Sequence, residues 1–435
     1  MPDFDVTLVD PSPAPAYSGM VPGCVSKLYE PSETMIKLVP LAESVGVKYL
    51  RAAVVDLVDE DGSSASEFKL SDGNTLSFDV ASIDVGSGSR GAELAGAREH
   101  AIPTRPISSL VERIQASEAA MKAAGSSPSS VVVVGAGPAG IELALAIRAR
   151  WDLAFPGAAF NVTLLETGPT LLPGESQECR EVLLGALSKR NVTVRRNSRV
   201  ASVAEGKVIL ENNETISSSH TLWATGAEPL PIASTLASRG IATDDRGWIL
   251  VNRFLQSVSH PNIFAAGDCS TISDPAIRAC PPKAGVYAVR SGPVLVRNLL
   301  KFLNGEELEP YRPQDDFLKL FSLGDGTAIG FRFGLAFEGA WCWALKDYID
   351  RSFMNLFTVS AVCDSSPSCS KLDVKQFDDG LVGCDASRFS PEQALNELRR
   401  TDDGVEFRMN WAIIRRMMSD EHFKMEVLAG REGQE

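Results

Sequence analysis

The chain has 435 residues, is 44% hydrophobic and carries a formal net charge of −14 at pH 7. That length gives room for two or three domains with full cores, and the acidic balance argues against a nucleic-acid partner. Eight cysteines lie scattered without a C-x-x-C, and His100, His220, His260 and His422 are too dispersed for a metal cluster, so no metal is expected. The same cysteine usage points to a reducing intracellular compartment. No apolar run approaches the ~18 residues of a spanning helix, and no signal peptide opens the chain.

In chain order, Asp5 to Asp10 reads as a strand closing in an acid. In a dinucleotide-binding unit that is the second strand, and only four residues precede it, so either the chain is cut short or this half lacks its own first strand and glycine loop. Pro13 to Cys24 is too rich in Pro and Gly for regular structure, and loops of that size inside a domain are usually functional. Ser32 to Glu43 carries a mixed helical pattern. Val54 to Val58, Phe68 to Leu70 and Thr75 to Phe78 read as a small β-meander with a turn at Ser71-Asp72-Gly73-Asn74. Val80 to Gly88 follows, then an amphipathic helix over Ser108 to Ala124 and a Ser-rich linker.

The organising stretch is Val131-Val132-Val133-Val134-Gly135-Ala136-Gly137-Pro138-Ala139-Gly140-Ile141-Glu142. Four β-branched residues predict a buried central strand, and Ile141 to Arg150 predicts a helix. Gly135 serves the tight turn, Gly137 the close approach of a pyrophosphate and Gly140 the helix–strand packing. The helix N-terminus, entered through Pro138 and Ala139, favours the negative charge. The strand Asn161 to Leu165 ends in Glu166, placed to accept from an adenosine ribose 2′-OH. A carboxylate there repels a 2′-phosphate, which favours NADH over NADPH.

Ser176 to Asn191 predicts a helix capped by Ser176. Short strands follow, and Ser218 to Ala224 runs into Thr225-Gly226-Ala227. Asp84-Val85-Gly86-Ser87 and Ala224 to Ala227 occupy equivalent places, so two copies of one plan are present. Ile263 to Ala265 delivers Gly267 for close backbone approach and Asp268 as acceptor for a polyol. Pro282-Lys283-Ala284-Gly285 opens a helix to about Phe302, whose start could stabilise the anion of a reduced flavin.

These motifs resemble the two-dinucleotide-fold flavoprotein family, which includes type II NADH dehydrogenases and pyridine nucleotide–disulfide oxidoreductases. Tyr17 to Gly23, Pro282 to Arg290, Trp341 to Asp347 and Ile349 to Arg351 further resemble the flavoprotein module fused ahead of selenide, water dikinase. The likeness covers residues 6 to about 357.

The resemblance implies an α/β fold: two Rossmann-like domains and a small α+β C-terminal domain. The FAD domain spans residues 1–106 and 245–311, and the NAD(H) domain, 107–244, is inserted within it. The third domain is 312–360, and 361–435 is a linker and tail of unassigned role. It implies FAD and NAD(H) as cofactors, hydride transfer to flavin, and electrons passed to a quinone or other small acceptor. Asp268 then contacts the FAD ribitol, Asp10 the FAD ribose, and the Ala284 helix faces the flavin. Glu142 lies near the nicotinamide and Lys283 offsets charge on reduced flavin.

Three departures qualify the likeness. No C-x4-C pair follows the first domain, so dithiol chemistry is not expected. Cys24 stands alone and reads as packing. The flavin-facing helix lacks the glutamines of type II NADH dehydrogenases around Gly285 to Arg290.

In the tail, Phe317 to Leu323 and Thr327 to Phe333 predict strands. Ala336 to Phe357 predicts a helix with Trp341, Trp343 and Phe353 on helical spacing, a stripe that is either core or an interfacial membrane face. Residues 361–376 read as linker with Cys363 and Cys369 as free thiols, and Pro391 to Arg400 and Asn410 to Met418 as short helices. Peripheral membrane contact and a homodimer stay open. The rival reading is a nucleotide-binding regulatory module associated with selenophosphate synthesis, with little turnover.

Overall fold

The computed structural model describes residues 4–58, 67–105, 107–277 and 280–359. The linker, the tail helices, Cys363 and Cys369 lie outside the described residues. The first half opens with β1 (Thr7–Val9), α1 (Val21–Val25), α2 (Leu38–Ser44) and β2 (Lys48–Leu50), with β1 and β2 parallel. An antiparallel meander of β3 (Val54–Val58), β4 (Glu67–Leu70) and β5 (Thr75–Ser77) leads to β6 (Ala81–Ile83). The two-residue β7 (Gly88–Ser89), α3 (Ala97–His100), β8 (Ala101–Pro103) and α4 (Ile107–Ala123) complete it.

The same order then recurs with longer elements. They are β9 (Ser130–Val134), α5 (Pro138–Ala154), β10 (Asn161–Leu165), α6 (Gln177–Lys189) and β11 (Val192–Arg195). A second meander, β12 (Val200–Ala204), β13 (Lys207–Leu210) and β14 (Thr215–Ser217), precedes β15 (His220–Trp223). β16 (Ala227–Glu228) pairs back onto β7. After α7 (Pro231–Ser238) come β17 (Ile249–Val251), β18 (Ile263–Ala265), β19 (Ser270–Ile272) and α8 (Gly285–Asn304). A small antiparallel sheet of β20 (Lys319–Ser322), β21 (Ala328–Arg332) and β22 (Leu335–Gly339) packs against α9 (Ala340–Asn355).

The second copy forms one parallel sheet in the order β11-β10-β9-β15-β8. Its centre is the valine run: Val131 to Val134 are all buried, as a strand with neighbours and helices on both sides must be. Ser176 caps α6 by accepting the Cys179 N–H at 3.2 Å, as its position predicts.

The first copy repeats the sheet with one place open. β2 pairs with β1 and β18 with β6, each pair parallel and two-stranded. By position β1 answers to β10, β2 to β11 and β6 to β15, yet no described strand stands between β1 and β6 where β9 stands between β10 and β15. Val6 (44%), Leu8 (37%) and Val85 (46%) are correspondingly exposed.

Several expectations are corrected. Pro13 to Cys24 is not all irregular: Ser18–Met20 is a 3-10 turn and α1 follows it. Pro22 sits in the first turn, where its missing N–H costs nothing, and Met20 to Val25 are all buried against α4 and α5. Ser32 to Glu43 is not one helix but a 3-10 turn at Pro31–Thr34 and then α2. The helix read from Ala336 begins at Ala340 instead. Phe333 and Gly334 take φ of +52° and +75°, a two-residue turn that folds β22 back onto β21. Finally, β8 falls within 1–106 yet joins the second sheet through β15.

Candidate functional site

The glycine turn between β9 and α5 is built as its spacing predicts. Gly135 has φ +102°, and a Cβ there would lie 2.6 Å from the Ala224 carbonyl oxygen. A Cβ on Gly140 would meet the Gly135 carbonyl oxygen at 1.8 Å, so helix and strand touch where only hydrogen fits. A Cβ on Gly137 would meet nothing within 4 Å. The open space over Gly137, at the mouth of a helix starting at Pro138, is a cradle for a pyrophosphate. Ala139 lies in the first turn of that helix. At the end of β10, Glu166 Oε1 accepts the Gly168 N–H at 2.6 Å and the Thr167 hydroxyl at 3.2 Å. Thr225 Oγ1 donates to the Arg90 carbonyl, and the Arg90 guanidinium lies beside Gly226.

A second group gathers at the end of β18. Gly267 has φ +74°, and Asp268 Oδ2 accepts the Ser87 hydroxyl at 2.8 Å. Arg105 binds Ser87 Oγ and the Gly88 carbonyl (2.8 Å), and its Nη2 stands 3.6 Å from Asp268 Oδ2. Nothing in the sequence pattern singles out Arg105, because its partners come from two other loops. Gly86 has φ +73° with open space where a side chain would stand. Asp10 Oδ1 accepts the Ser12 N–H at 2.7 Å, an Asx turn that sets the carboxylate at the end of β1. Ala284 is the N-cap of α8. Lys283 Nζ donates to the Ser270 carbonyl and to Thr271 Oγ1 (3.1 Å) and lies 4.5 Å from the Trp248 ring centre. Burial holds its pKa below the ordinary lysine value.

These residues share one space. A cavity of about 4550 Å³ is lined by every residue predicted for the site except Gly140, which packs beneath the turn. The polyol acceptors, the bare glycines and the start of α8 suit FAD at its ribitol and ring end. Among the described residues the first half shows no counterpart of Gly135 to Gly140.

A third group lies on the wall of the same cavity, and of its members the sequence reading gave a role to Glu142 alone, near the nicotinamide. Lys346, 6% exposed, donates to Asp350 Oδ2 and to the Gly19 carbonyl, both at 2.8 Å. Asp350, 4% exposed, also accepts the Tyr17 hydroxyl at 3.3 Å. Glu142 Oε1 accepts the Ser322 N–H at 2.8 Å. Loss of water pushes the Glu142 carboxyl up to about 7, against the pull of the Lys346 ammonium. Burial opposes the Lys346 charge too, but Glu142 and Asp350 outweigh it and hold the amine protonated. Burial and Asp350 raise the Tyr17 phenol. The Lys–Asp spacing of four residues on a helix was a visible signal; the contacts to Tyr17 and Gly19 were not.

The aromatic stripe of α9, half-buried, packs against neighbouring rings. Phe353 packs on Tyr17 with ring centres 4.5 Å apart, Trp343 lies 5.5 Å from Tyr29, and Trp341 stacks on Phe337 at 5.2 Å.

Residues 2–292 match the model of the family described as pyridine nucleotide-disulphide oxidoreductase. The chain belongs to that family. Type II NADH:quinone oxidoreductase of Staphylococcus aureus (strain NCTC 8325 / PS 47) is 26% identical over 287 residues, covering 63% of this chain and 70% of the relative. Among solved structures, the sulfide:quinone oxidoreductase of Aquifex aeolicus superposes with a TM-score of 0.68 at 18% identity, covering 83% of this chain and 87% of that one. NDH2 of Plasmodium falciparum in complex with NADH gives 0.66 at 14% identity, covering 80% and 92%. At those identities the structures establish the shared fold: the oxidoreductase family's two dinucleotide-binding units with a small third unit. No helix among the described residues is long and apolar enough to cross a membrane.

Proposed function

We propose that this chain is an FAD-dependent oxidoreductase that takes a hydride from NADH and passes the electrons to a quinone or a similar small acceptor. The observation that carries the reading is the single cavity, which brings the Gly137 cradle, the Asp268–Ser87–Arg105 group and the Glu142–Lys346 group onto one surface. The named activity of the Staphylococcus aureus relative supports the quinone.

In this reading the N–H groups at the start of α5 hold the NADH pyrophosphate, and Glu166 accepts from the ribose 2′-OH and repels a 2′-phosphate. Asp268 accepts from the FAD ribitol, with Ser87 and Arg105 fixing its carboxylate. Asp10 takes the FAD ribose, Gly86 and Gly267 leave the backbone bare, and α8 turns its positive end toward the ring. FAD, when bound, supplies the hydride-accepting ring. Lys283 contributes positive charge beside the start of α8, and Glu142 stands near the nicotinamide.

The domain division follows the same reading: FAD unit 1–106 and 245–311, NAD(H) unit 107–244, third unit 312–360, with β8 of the first segment lent to the NAD(H) unit's sheet. Kinship with the flavoprotein module fused ahead of selenide, water dikinase draws support from Ser18 lying against Gly285, which joins the two subgroup motifs in space. The regulatory-module alternative finds no support among the relatives. Peripheral membrane contact would use Tyr348, Leu356 and Val359, exposed along and just beyond α9. Co-sedimentation with liposomes tests that contact, and sedimentation velocity tests the homodimer.

The deciding experiment is the visible spectrum of the purified chain, supplied with FAD, before and after NADH. A flavin band that bleaches with NADH and returns on adding a soluble quinone is expected. A chain that takes up no FAD, or whose flavin ignores NADH, overturns the reading.

A further inference from the structure

A second, smaller space of about 450 Å³ opens beside the main cavity, near the start of α8. Arg90 enters it from just after β7, Arg246 and Trp248 from the turn ahead of β17, and Lys283 from the residue before the α8 cap. Arg90 and Lys283 line both spaces and so belong to the partition between them.

Three cations thus converge against one carboxylate, Asp244. That carboxylate is engaged by its own turn: Oδ1 accepts the Arg246 N–H at 2.9 Å and the Trp248 N–H at 3.0 Å. Among the described residues no ion pair joins Arg90, Arg246 or Lys283 to a carboxylate. Arg90 Nη2 donates to the Ala227 carbonyl at 3.4 Å, and Lys283 Nζ to the Ser270 carbonyl and Thr271 Oγ1, all of them neutral acceptors. The Arg246 guanidinium and the Lys283 ammonium lie 5.9 and 4.5 Å from the centre of the Trp248 ring, whose π electrons face them in place of an acid. Trp248 itself is 1% exposed, and its indole N–H is buried with no acceptor among the described residues. A buried donor in that state has lost water and gained nothing in exchange.

We infer that this pocket is a binding site for a phosphate group, free or carried as an ester of a small molecule, with Arg90, Arg246 and Lys283 supplying the charge and the Trp248 N–H a neutral donor. A phosphate matches the surplus better than a carboxylate does. Three cations less one carboxylate leave two positive charges, the charge of a phosphate dianion. Its oxygens also point in several directions, as donors arriving from three loops require, whereas a carboxylate offers two oxygens in one plane. The space is larger than a bare phosphate fills and is of the size of small-ligand sites. Burial works against the Lys283 charge, and an anion beside it opposes that loss. Because Lys283 lines both spaces, a bound phosphate also offsets part of the charge that it presents to the main cavity. The site itself requires no redox activity of the chain.

The test is calorimetric titration of the full chain with inorganic phosphate and with phenyl phosphate, in low-chloride buffer. FAD and NAD⁺ are present in excess, so that phosphate bound in a dinucleotide cradle is displaced. Both probes are expected to bind and to change the tryptophan emission. The tighter of the two tells the free ion from the ester. Arg246→Gln and Arg90→Gln, both at exposed positions, should each weaken binding about tenfold with the circular dichroism unchanged. Arg246→Lys, which keeps the charge, should restore part of the loss, and Trp248→Phe should remove the emission change. If neither probe binds, or if neither arginine variant weakens binding, the inference is overturned. Benzoate binding as tightly as phenyl phosphate at equal ionic strength overturns it too, since the phosphate group would then not be what is recognised. Should Trp248→Phe fail to fold, the arginine variants decide.

Discussion

Lys346 on the last described helix donates a 2.8 Å hydrogen bond to the carbonyl of Gly19, 327 residues earlier. The bond closes the third unit onto the first loop, and the acids around it tie both to the start of α5. One buried side chain thus joins the wall of the cavity to the contact between the last described helix and the first loop.

Gly137→Ala and Gly140→Ala should part company. A Cβ at Gly137 has open space and an ordinary φ of −71°, so stability should change by no more than about 0.5 kcal/mol. NADH affinity should nonetheless fall, because the methyl group occupies the pyrophosphate's approach. Gly140→Ala drives a carbon into the Gly135 carbonyl and should destabilise by about 1–3 kcal/mol or more. Urea unfolding and NADH titration of both variants check the contrast.

Glu166→Ala should weaken NADH by roughly tenfold, the worth of one charge-assisted hydrogen bond, while NADPH binding should hold or improve. The ratio of kcat/KM for the two nucleotides is the measurement, and an unchanged ratio would remove Glu166 from the ribose.

Arg105→Leu should leave Asp268 with Ser87 alone and loosen flavin. Flavin retained after extensive dialysis should drop about tenfold relative to wild type, with the fold intact by circular dichroism.

Arg150→Met tests a buried ion pair. Arg150 Nε lies 2.6 Å from Glu118 Oε2, with 3% and 7% of the residues exposed. Removing Arg150 leaves Glu118 only Lys122 at 3.0 Å and Lys27 at 3.3 Å, both far more exposed, so the cost should be about 1–3 kcal/mol read from chemical denaturation.

Two carboxyls should bend the stability curve in opposite senses. Burial works against the Glu118 charge, but Lys122 and Arg150 outweigh it and depress its pKa below the ordinary 4.5. Its contribution is therefore present above that pH and lost as the pH falls through the folded value. Glu142 is raised to about 7, so the folded chain binds more protons than the unfolded one between 4.5 and 7. Stability from that site is full at low pH and declines as pH rises through the window. Glu118→Gln should flatten the acid limb, and Glu142→Gln the neutral one.

What could be read from the sequence was local. The spacing of Gly135, Gly137 and Gly140, the acid at the end of β10 and the cap at Ser176 are each fixed by neighbours a few residues away, and each appears where expected. The repeated plan was legible for the same reason. The losses were long-range. α1 forms in a Pro- and Gly-rich stretch because α4 and α5 bury it, and β22 exists because Phe333 and Gly334 accept left-handed angles that their types only weakly announce. Arg105 and Lys346 find partners 18 and 327 residues away, distances at which spacing carries no signal.

The open place between β1 and β6 also bears on how the chain behaves in a test tube. Among the described residues no strand pairs with the facing edges of β1 and β6, and Val6, Leu8 and Val85 stand exposed beside them. Such edges are templates for any other extended chain, and proteins usually blunt them with charge or proline. Asp5, Asp10 and Pro11 bracket β1 in that manner. β6 has Asp79 before it and Asp84 after it, a thinner guard. An extended segment that pairs here, from this chain or from another, would meet β1 and β6 across these two edges.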